Sequence, residues 1–229
     1  MESAVRHELP SALTRTKLAP PRLPLLTVAL ERHQKWLGPI LAHSLCLVRA
    51  ESGYGKSTAC VSWFNAFKAE GLNVGWASFS RDDEDPTRAI SYIAAAARMA
   101  LGAAAHDADW TYDGIVPPHV VATRFINTIH AFEKPVILFL DDLDRLSDPR
   151  LLQFLNYLLL HCPNNLHLVL ACQTQPPLPL AHLDHQGMLL RVGVEDLRLT
   201  DLEAHELLAE NAASLREDDV RRLNAAMGG

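Results

Sequence analysis

Short runs of apolar residues recur along the chain, and longer segments with helical spacing separate them. We predict five buried strands from these runs, and they lie at residues 45–48, 73–79, 136–140, 166–171 and 189–192. Strands that alternate with helices are typical of a parallel sheet covered on both faces. In such sheets, ligands bind at the carboxyl ends of the strands. The pattern therefore predicts an α/β fold of about five parallel strands in a three-layer αβα arrangement, and it directs attention to the residues that follow each strand.

Helix start and stop signals divide the segments between the strands. Asp85-Pro86 and Asp148-Pro149 each place an N-cap residue before a proline at the first helical position. The predicted helices lie at about 28–42, 56–70, 86–101 and 118–132, with another starting at 149. We expect a polar loop at 102–116 and a proline-rich crossing at 173–187. The capping box of Thr200 and Glu203 predicts a further helix, and a last helix is expected at 217–226.

The same pattern predicts three regions along the chain. Residues 1–26 are proline-rich and aperiodic, which favours an extended N-terminal arm that drapes over the domain. Residues 27–195 contain all five predicted strands and would form the main domain. Residues 196–229 would begin a helical subdomain that the chain truncates.

Composition and charge narrow the function classes. The 229 residues carry 21 basic and 27 acidic side chains, a net charge of −6, which disfavours nucleic-acid binding through bulk charge. No apolar stretch is long enough for a membrane span, and no signal peptide is visible. The four cysteines are widely spaced, which argues against disulfides and a cysteine-rich zinc site. We therefore expect a soluble, cytoplasmic protein that does not enter a membrane.

A phosphate-binding loop follows the first strand. Residues 50–58 read Ala-Glu-Ser-Gly-Tyr-Gly-Lys-Ser-Thr, a Walker A pattern with Ala50 in place of the usual first glycine. Glycines permit a tight loop whose N–H groups face phosphate oxygens, and the following helix adds its positive N-terminal end. We predict that Lys56 bridges the β- and γ-phosphates of ATP or ADP and that Ser57 ligates Mg²⁺. The predicted nucleotide-binding residues of the loop are Ser52, Gly53, Tyr54, Gly55, Lys56, Ser57 and Thr58. A chance glycine-rich turn with an exposed lysine is the alternative.

A pair of carboxylates ends the third strand, in the manner of a Walker B motif. Asp141 would hold Mg²⁺, directly or through water. Asp142 stands where many P-loop ATPases keep a glutamate that polarises the attacking water, so Asp142 and Lys56 are the candidate catalytic residues. With no base visible nearby, the two carboxylates should repel each other until a cation binds. The alternative is that the pair caps the next turn together with Asp144.

Two further segments have open interpretations. Gln173 or Thr174, directly after the fourth strand, could hydrogen-bond the γ-phosphate, or could simply start a polar loop. The pattern of the run Arg81-Asp82-Asp83-Glu84-Asp85 favours a solvated loop and N-cap.

Taken together, these segments resemble a known family: the nucleotide-binding domain of the large ATP-dependent LuxR-type transcriptional regulators, within the STAND class of signal-transduction ATPases. Four stretches carry the resemblance, and they lie at 16–22, 52–58, 140–142 and, in two pieces, 174–180 and 194–200. The family usually has Ser-Arg where Cys172-Gln173 stand. The resemblance implies a P-loop NTPase fold, ATP or ADP with Mg²⁺ as ligands, and weak ATPase activity at most. For the acidic run at 81–85, the resemblance implies an alternative, an acidic segment that faces the nucleotide side of the sheet. Members are several times longer and carry a DNA-binding helix-turn-helix, so this chain would be either an excised fragment or a truncated gene product, and would not itself bind DNA.

The leading hypothesis is a nucleotide-controlled switch module whose slow or conditional hydrolysis controls self-association of the full-length protein. A small-molecule P-loop kinase is a second hypothesis. Kinases of that kind usually carry lid arginines after the later strands, and no arginine lies between Arg150 and Arg191. A third is an interaction fragment that has lost nucleotide binding, motivated by Gln173 and Glu51. Intact Lys56 and Asp141 argue against it.

Overall fold

All five predicted strands are present and pair in parallel, as a computed structural model of the chain shows. The structure describes residues 13–22, 31–105, 107–198, 200 and 203. The sheet has the strand order β2-β3-β4-β1-β5, and its strands are β1 (Leu45–Arg49), β2 (Asn73–Ser78), β3 (Val136–Asp141), β4 (Leu166–Cys172) and β5 (Leu189–Val192). This order brings the ends of β1, β4 and β3 side by side at one edge of the sheet.

Seven α-helices connect or flank these strands within the described residues. They are α1 (Leu37–Ala42), α2 (Lys56–Ala69), α3 (Pro86–Leu101), α4 (Pro118–His130), α5 (Pro149–Leu160), α6 (Leu180–His185) and α7 (Val194–Leu197). The predicted N-caps are confirmed, because Asp85 accepts from the backbone N–H groups of Thr87 and Arg88, and Asp148 accepts from that of Arg150.

The sheet separates two apolar layers, which confirms the three-layer arrangement. Cys46 and Val48 of β1 pack with α1, α2 and α7 on one face. Leu45 and Leu47 pack with α3, α4, α5 and α6 on the other. Since successive side chains of a strand point to opposite faces, the unbroken apolar run of β1 is what a strand covered on both sides requires. The four cysteines are free thiols.

Helix α3 lies unusually close to the sheet. A Cβ added to Gly75 of β2 would lie 2.3 Å from the carbonyl oxygen of Ala96. The small residues at 94–97 of α3 are all buried. The alanine-rich stretch is therefore core packing, since only small side chains let helix and strand backbones approach this closely.

The structure corrects three local expectations. The arm is not extended throughout, because Arg15–Leu18 form a 3₁₀-helix, and Leu18 is buried in the core. The helix expected at 28–42 is in two parts, a 3₁₀ segment at Glu31–Trp36 followed by α1. The crossing at 173–187 contains α6, whose burial of Leu180 and Leu183 compensates for its short length.

Several expectations fall partly or wholly outside the described residues. Thr200 and Glu203 exchange the hydrogen bonds of the predicted capping box, but the rest of that helix and the one at 217–226 are not described. The arm before residue 13 and at 23–26 is likewise outside. The three-region division of the chain stays a prediction. Within the described residues, no helix combines the length and the hydropathy that a membrane crossing needs.

Candidate nucleotide site

The phosphate loop lies between the end of β1 and the start of α2. Gly53 and Gly55 have φ values of 95° and 75°, and Gly55 is the N-cap residue of α2. Nothing lies within 4 Å of a Cβ built on either residue. The restriction to glycine is therefore conformational, because residues with a side chain rarely adopt left-handed backbone angles.

The other loop residues surround this turn. Ser52 is exposed, Thr58 is half-buried in the first turn of α2, and Tyr54 packs against the α2 face of the core. The strand–loop–helix order that the Walker A pattern requires is present.

Lys56 is folded back over its own loop. Its Nζ donates to the carbonyl oxygens of Ala50, at 2.7 Å, and Glu51, at 2.8 Å, and the residue is buried. A buried ammonium group needs such acceptors. The Lys56 ammonium group is therefore held at the loop by two neutral carbonyl groups. No carboxylate in the described part of the chain accepts a hydrogen bond from its Nζ.

Ser57 and Asp141 meet at the end of β3. The Ser57 hydroxyl donates to Asp141, with distances of 3.2 Å to Oδ2 and 3.5 Å to Oδ1. The two residues are 84 apart in sequence. The fold therefore brings together the two predicted metal ligands, as the sequence led us to expect.

The Asp141 carboxylate is poorly compensated. Burial raises its pKa to about 6, the negative charge of Asp142 adds to the rise, and the Ser57 hydrogen bond and Lys56 oppose it. A buried carboxylate with one hydroxyl partner is a favourable ligand for a hard cation such as Mg²⁺. No cluster of three or more His, Cys, Asp or Glu side chains that could hold a metal occurs in the described chain. The Ser57 hydroxyl and the Asp141 carboxylate are a donor set that fits Mg²⁺, which usually takes one or two carboxylates and keeps water or phosphate oxygens.

Asp142 is the one non-glycine residue with positive φ among those described, at 59°. Its Oδ2 lies 3.1 Å from Nε of Arg145, three residues along. The expectation that no base lies near the carboxylate pair was wrong, because the 3₁₀ turn of Leu143–Arg145 brings Arg145 back onto Asp142. Both side chains are partly exposed, so the ion pair contributes little to stability.

Asp144 fastens the start of the loop after β4. Its Oδ2 accepts from the backbone N–H groups of Gln173 and Thr174 and from the Thr174 hydroxyl, at 2.9 to 3.0 Å. The Thr174 hydroxyl is thus committed to Asp144, which leaves Gln173 as the more available of the two proposed phosphate readers. Sequence reasoning considered Asp144 only as part of a cap. The signal in the sequence that could have indicated its role was the position of an acidic residue two residues after Asp142, in the turn that follows the third strand.

The acidic run at 81–85 is only partly the solvated loop that the sequence favoured, since Arg81, Asp82 and Asp85 are exposed but Asp83 is not. Asp83 has no solvent exposure. It forms ion pairs with Lys17 of the arm and with Arg88 of α3, and it accepts from the backbone N–H and the hydroxyl of Ser80. Burial would raise its pKa, but the hydrogen bonds from Arg88, Lys17 and Ser80 prevail and lower it. The run's other end, Asp85, is the N-cap that was expected.

Comparisons with known proteins agree with this picture. No protein-family model matches the chain. It is 27% identical over 204 residues, 86% of its length, to the HTH-type transcriptional regulator MalT of Yersinia enterocolitica. It is 30% identical over 185 residues, 79% of its length, to MalT of Serratia proteamaculans. The chain spans about a fifth of the length of these relatives, 22% and 20% respectively.

Solved structures share the fold at low sequence identity. Cdc6p of Pyrobaculum aerophilum superposes with a TM-score of 0.55 at 15% identity, over 93% of this chain and 58% of that one. The Walker-type ATPase PABY2304 of Pyrococcus abyssi gives a TM-score of 0.52 at 10% identity, over 86% and 62%. This chain is therefore related by sequence to the MalT transcriptional regulators, and its described residues have the fold of a P-loop NTPase.

Proposed function

We propose that this chain is the nucleotide-binding switch module of a LuxR-type transcriptional regulator. Homology and fold together support a nucleotide-binding regulatory module. The finer proposal is that it binds ATP or ADP with Mg²⁺ and hydrolyses ATP slowly or conditionally. In the full-length protein, the bound nucleotide would control self-association by favouring one of two conformations.

The observation that carries the proposal is the meeting of Ser57 and Asp141 beside the loop of Gly53 and Gly55. Ser57 and Asp141 would hold Mg²⁺. The N-terminal end of α2 and the N–H groups of residues 52–58 would receive the phosphates. When bound, the nucleotide would supply negative charge for Lys56 and the loop N–H groups, and Mg²⁺ would offset the charge of Asp141.

Lys56 would change partners on binding. Its Nζ now donates to two neutral carbonyl oxygens, and phosphate oxygens would replace them with charge-assisted bonds. Such bonds are roughly twice as strong as neutral ones. Because the Lys56 side chain already lies at the loop, it could exchange these partners without a rearrangement of the backbone.

Asp142 would be the residue that orients and polarises the attacking water. In the structure one of its carboxylate oxygens, Oδ2, is occupied by Arg145 at 3.1 Å and is not available to accept a hydrogen bond from water. Hydrolysis would therefore require the pair to open, which supports slow or conditional turnover. We propose a weak ATPase, in which nucleotide binding rather than turnover is the principal activity.

The test is a titration of the purified chain with fluorescent ATP and ADP, with Mg²⁺ and with EDTA. Lys56→Ala should weaken binding of both nucleotides by about 10- to 100-fold, the effect of losing charge-assisted hydrogen bonds. Lys134→Ala is the matched control, since the Lys134 ammonium makes one exposed contact within the described residues, with the carbonyl of Gly71. A folded wild-type chain that binds neither nucleotide, or a Lys56→Ala variant that binds as well as wild type, would overturn the proposal.

A further inference from the structure

The loop that follows β4 lies between the two halves of the nucleotide site. On one side, the backbone N–H of Ala50, the first residue of the phosphate loop, donates to the carbonyl of Cys172 at 3.4 Å. On the other, the N–H of Asp142 donates to the carbonyl of Ala171 at 3.0 Å. Gln173, the next residue, therefore follows the strand that lies between the phosphate loop and the carboxylate pair.

Asp144 determines the backbone path at this point. All three of its hydrogen bonds fall on Oδ2, from Gln173 N–H, Thr174 N–H and the Thr174 hydroxyl. Its Oδ1 is inaccessible to solvent and has no hydrogen-bond partner among the described residues. A half-satisfied carboxylate is costly, because a buried polar atom without a partner loses its hydration without replacement.

A second contact holds the loop from the opposite side. Nη1 of Arg49, the last residue of β1, donates to Oε1 of Gln175 at 3.2 Å. The segment 173–175 is thus fastened both to the turn after β3 and to the strand before the phosphate loop. The Gln173 side chain is exposed, and within the described residues no group hydrogen-bonds to its amide, so it is available to a ligand.

We propose that Asp144 is a positioning residue that makes the site distinguish nucleoside triphosphates from diphosphates. It holds the backbone of Gln173 so that the amide of Gln173 can donate to the terminal phosphate of ATP. It also occupies the Thr174 hydroxyl, so that Thr174 does not compete. The inference rests on the proposed function and names its ligand preference: ATP is bound more tightly than ADP because of Gln173, and Gln173 depends on Asp144.

The experiment measures the ratio of the Kd for ADP to the Kd for ATP, with Mg²⁺, for the full chain. Asp144→Ala should lower this ratio about tenfold with little change in the Kd for ADP, as expected for a lost hydrogen bond to a charged phosphate. Gln173→Ala should lower it by a similar factor. The double variant should fall no further, since residues that act as one unit are not additive. Asp184→Ala, which removes an exposed carboxylate paired with Arg191, is the control and should leave the ratio unchanged.

A conservative variant separates positioning from general stability. Asp144→Asn keeps an acceptor oxygen where Oδ2 stands, so it should preserve most of the ratio, whereas Asp144→Ala should not. Thr174→Val removes one of the three hydrogen bonds and should give a smaller fall of about threefold. These two variants serve as the test if Asp144→Ala does not fold.

The outcomes are distinct. A loss of the ratio in Asp144→Ala and Gln173→Ala with retention in Asp144→Asn supports the proposal. The proposal is overturned if Asp144→Ala weakens the binding of ATP and ADP equally, so that the ratio of their Kd values is unchanged. It is also overturned if Asp144→Asn lowers the ratio as much as Asp144→Ala, or if the wild-type ratio is near one. Each of these leaves the proposed function standing, provided that wild type binds nucleotide and Lys56→Ala does not. A folded wild-type chain that binds neither nucleotide overturns both.

Discussion

Asp83 and Asp141 are both buried at the carboxyl edge of the sheet, one after β2 and the other at the end of β3, yet their surroundings differ completely. Asp83 has two cationic partners and the N–H and hydroxyl of Ser80. Asp141 has the hydroxyl of Ser57 and a second carboxylate beside it. The pKa of Asp83 is lowered and that of Asp141 is raised. The environment therefore separates a carboxylate whose charge the protein itself neutralises from one whose charge it leaves largely uncompensated, the candidate metal ligand.

The difference follows from where compensating charge comes from. Lys17 and Arg88 reach Asp83 from the arm and from α3, so the protein itself neutralises that charge. At Asp141 the protein provides no cation within hydrogen-bonding distance in the described residues. A site built this way is less favourable when empty and gains stability when a cation binds, as linkage requires.

The largest effect should come from removing the compensated carboxylate. Asp83→Ala leaves Lys17 and Arg88 without their shared anion, and we expect the free energy of unfolding to fall by about 3 kcal/mol. Urea denaturation of the chain would measure it. Asp82→Ala is the matched control. It removes the exposed carboxylate next to Asp83, which should change the free energy of unfolding by less than about 0.5 kcal/mol. A loss at Asp83 no larger than the loss at Asp82 would show that the buried ion pairs do not secure the arm.

Removing the uncompensated carboxylate should have a smaller effect of opposite sign. Asp141→Asn avoids the cost of burying a negative charge and still accepts from Ser57, so the nucleotide-free chain should gain about 1 kcal/mol of stability. Urea denaturation in EDTA would show this gain. The same variant should lose the Mg²⁺-dependent part of ATP binding. A destabilisation as large as that of Asp83→Ala would contradict the contrast between the two residues.

The smallest expected effects are changes of the free energy of unfolding with pH, and the two carboxylates should cause them over different pH ranges. Because the folded-state pKa of Asp141 is raised to about 6 from 3.8, its charge costs the folded state stability above pH 6, and this cost disappears as the pH falls towards 3.8. The advantage of Asp141→Asn over wild type should therefore shrink between pH 7 and pH 4. Because the pKa of Asp83 is lowered from 3.8, its contribution is present above that value and is lost only below it.

The two windows can be measured on the same proteins. Free energies of unfolding of wild type, Asp141→Asn and Asp83→Asn, each from pH 7 to pH 3, would give the two difference curves, and we expect changes of about 1 kcal/mol or less across each window. Differences between variants cancel the titration of the histidines. Two curves that change over the same pH range would show that the environments of the two carboxylates are alike after all.

Much of the fold could be predicted because its signals are local. A few adjacent residues are enough to predict each of these elements: apolar runs indicate the strands β1, β3 and β4, and Asp-Pro pairs mark the starts of the helices α3 and α5. Helix α6 was missed because its six residues are helical only through burial of Leu180 and Leu183. The 3₁₀ turn of the arm was missed because Leu18 enters the core over a distance that no short-range pattern encodes.

The candidate site divides in the same way. Gly53, Gly55, Lys56 and Ser57 form one continuous motif, and Asp141 follows a recognisable strand, so spacing alone indicates their roles. Asp144 and Arg145 carry no motif. Their partners, Thr174 and Asp142, become visible only once β3 and β4 lie side by side and the turn after β3 closes.

The sequence by itself determined the alternation of strands and helices, the phosphate loop and the identity of the carboxylate at the end of β3, because each depends on residues adjacent in the chain. Tertiary structure alone decided which carboxylate is neutralised. Lys17 and Asp83 are separated by 66 residues, and burial and charge pairing are properties of what folding brings together. Two aspartates with identical side chains therefore differ in role: Asp83 binds the arm to the domain, and Asp141 is a candidate metal ligand.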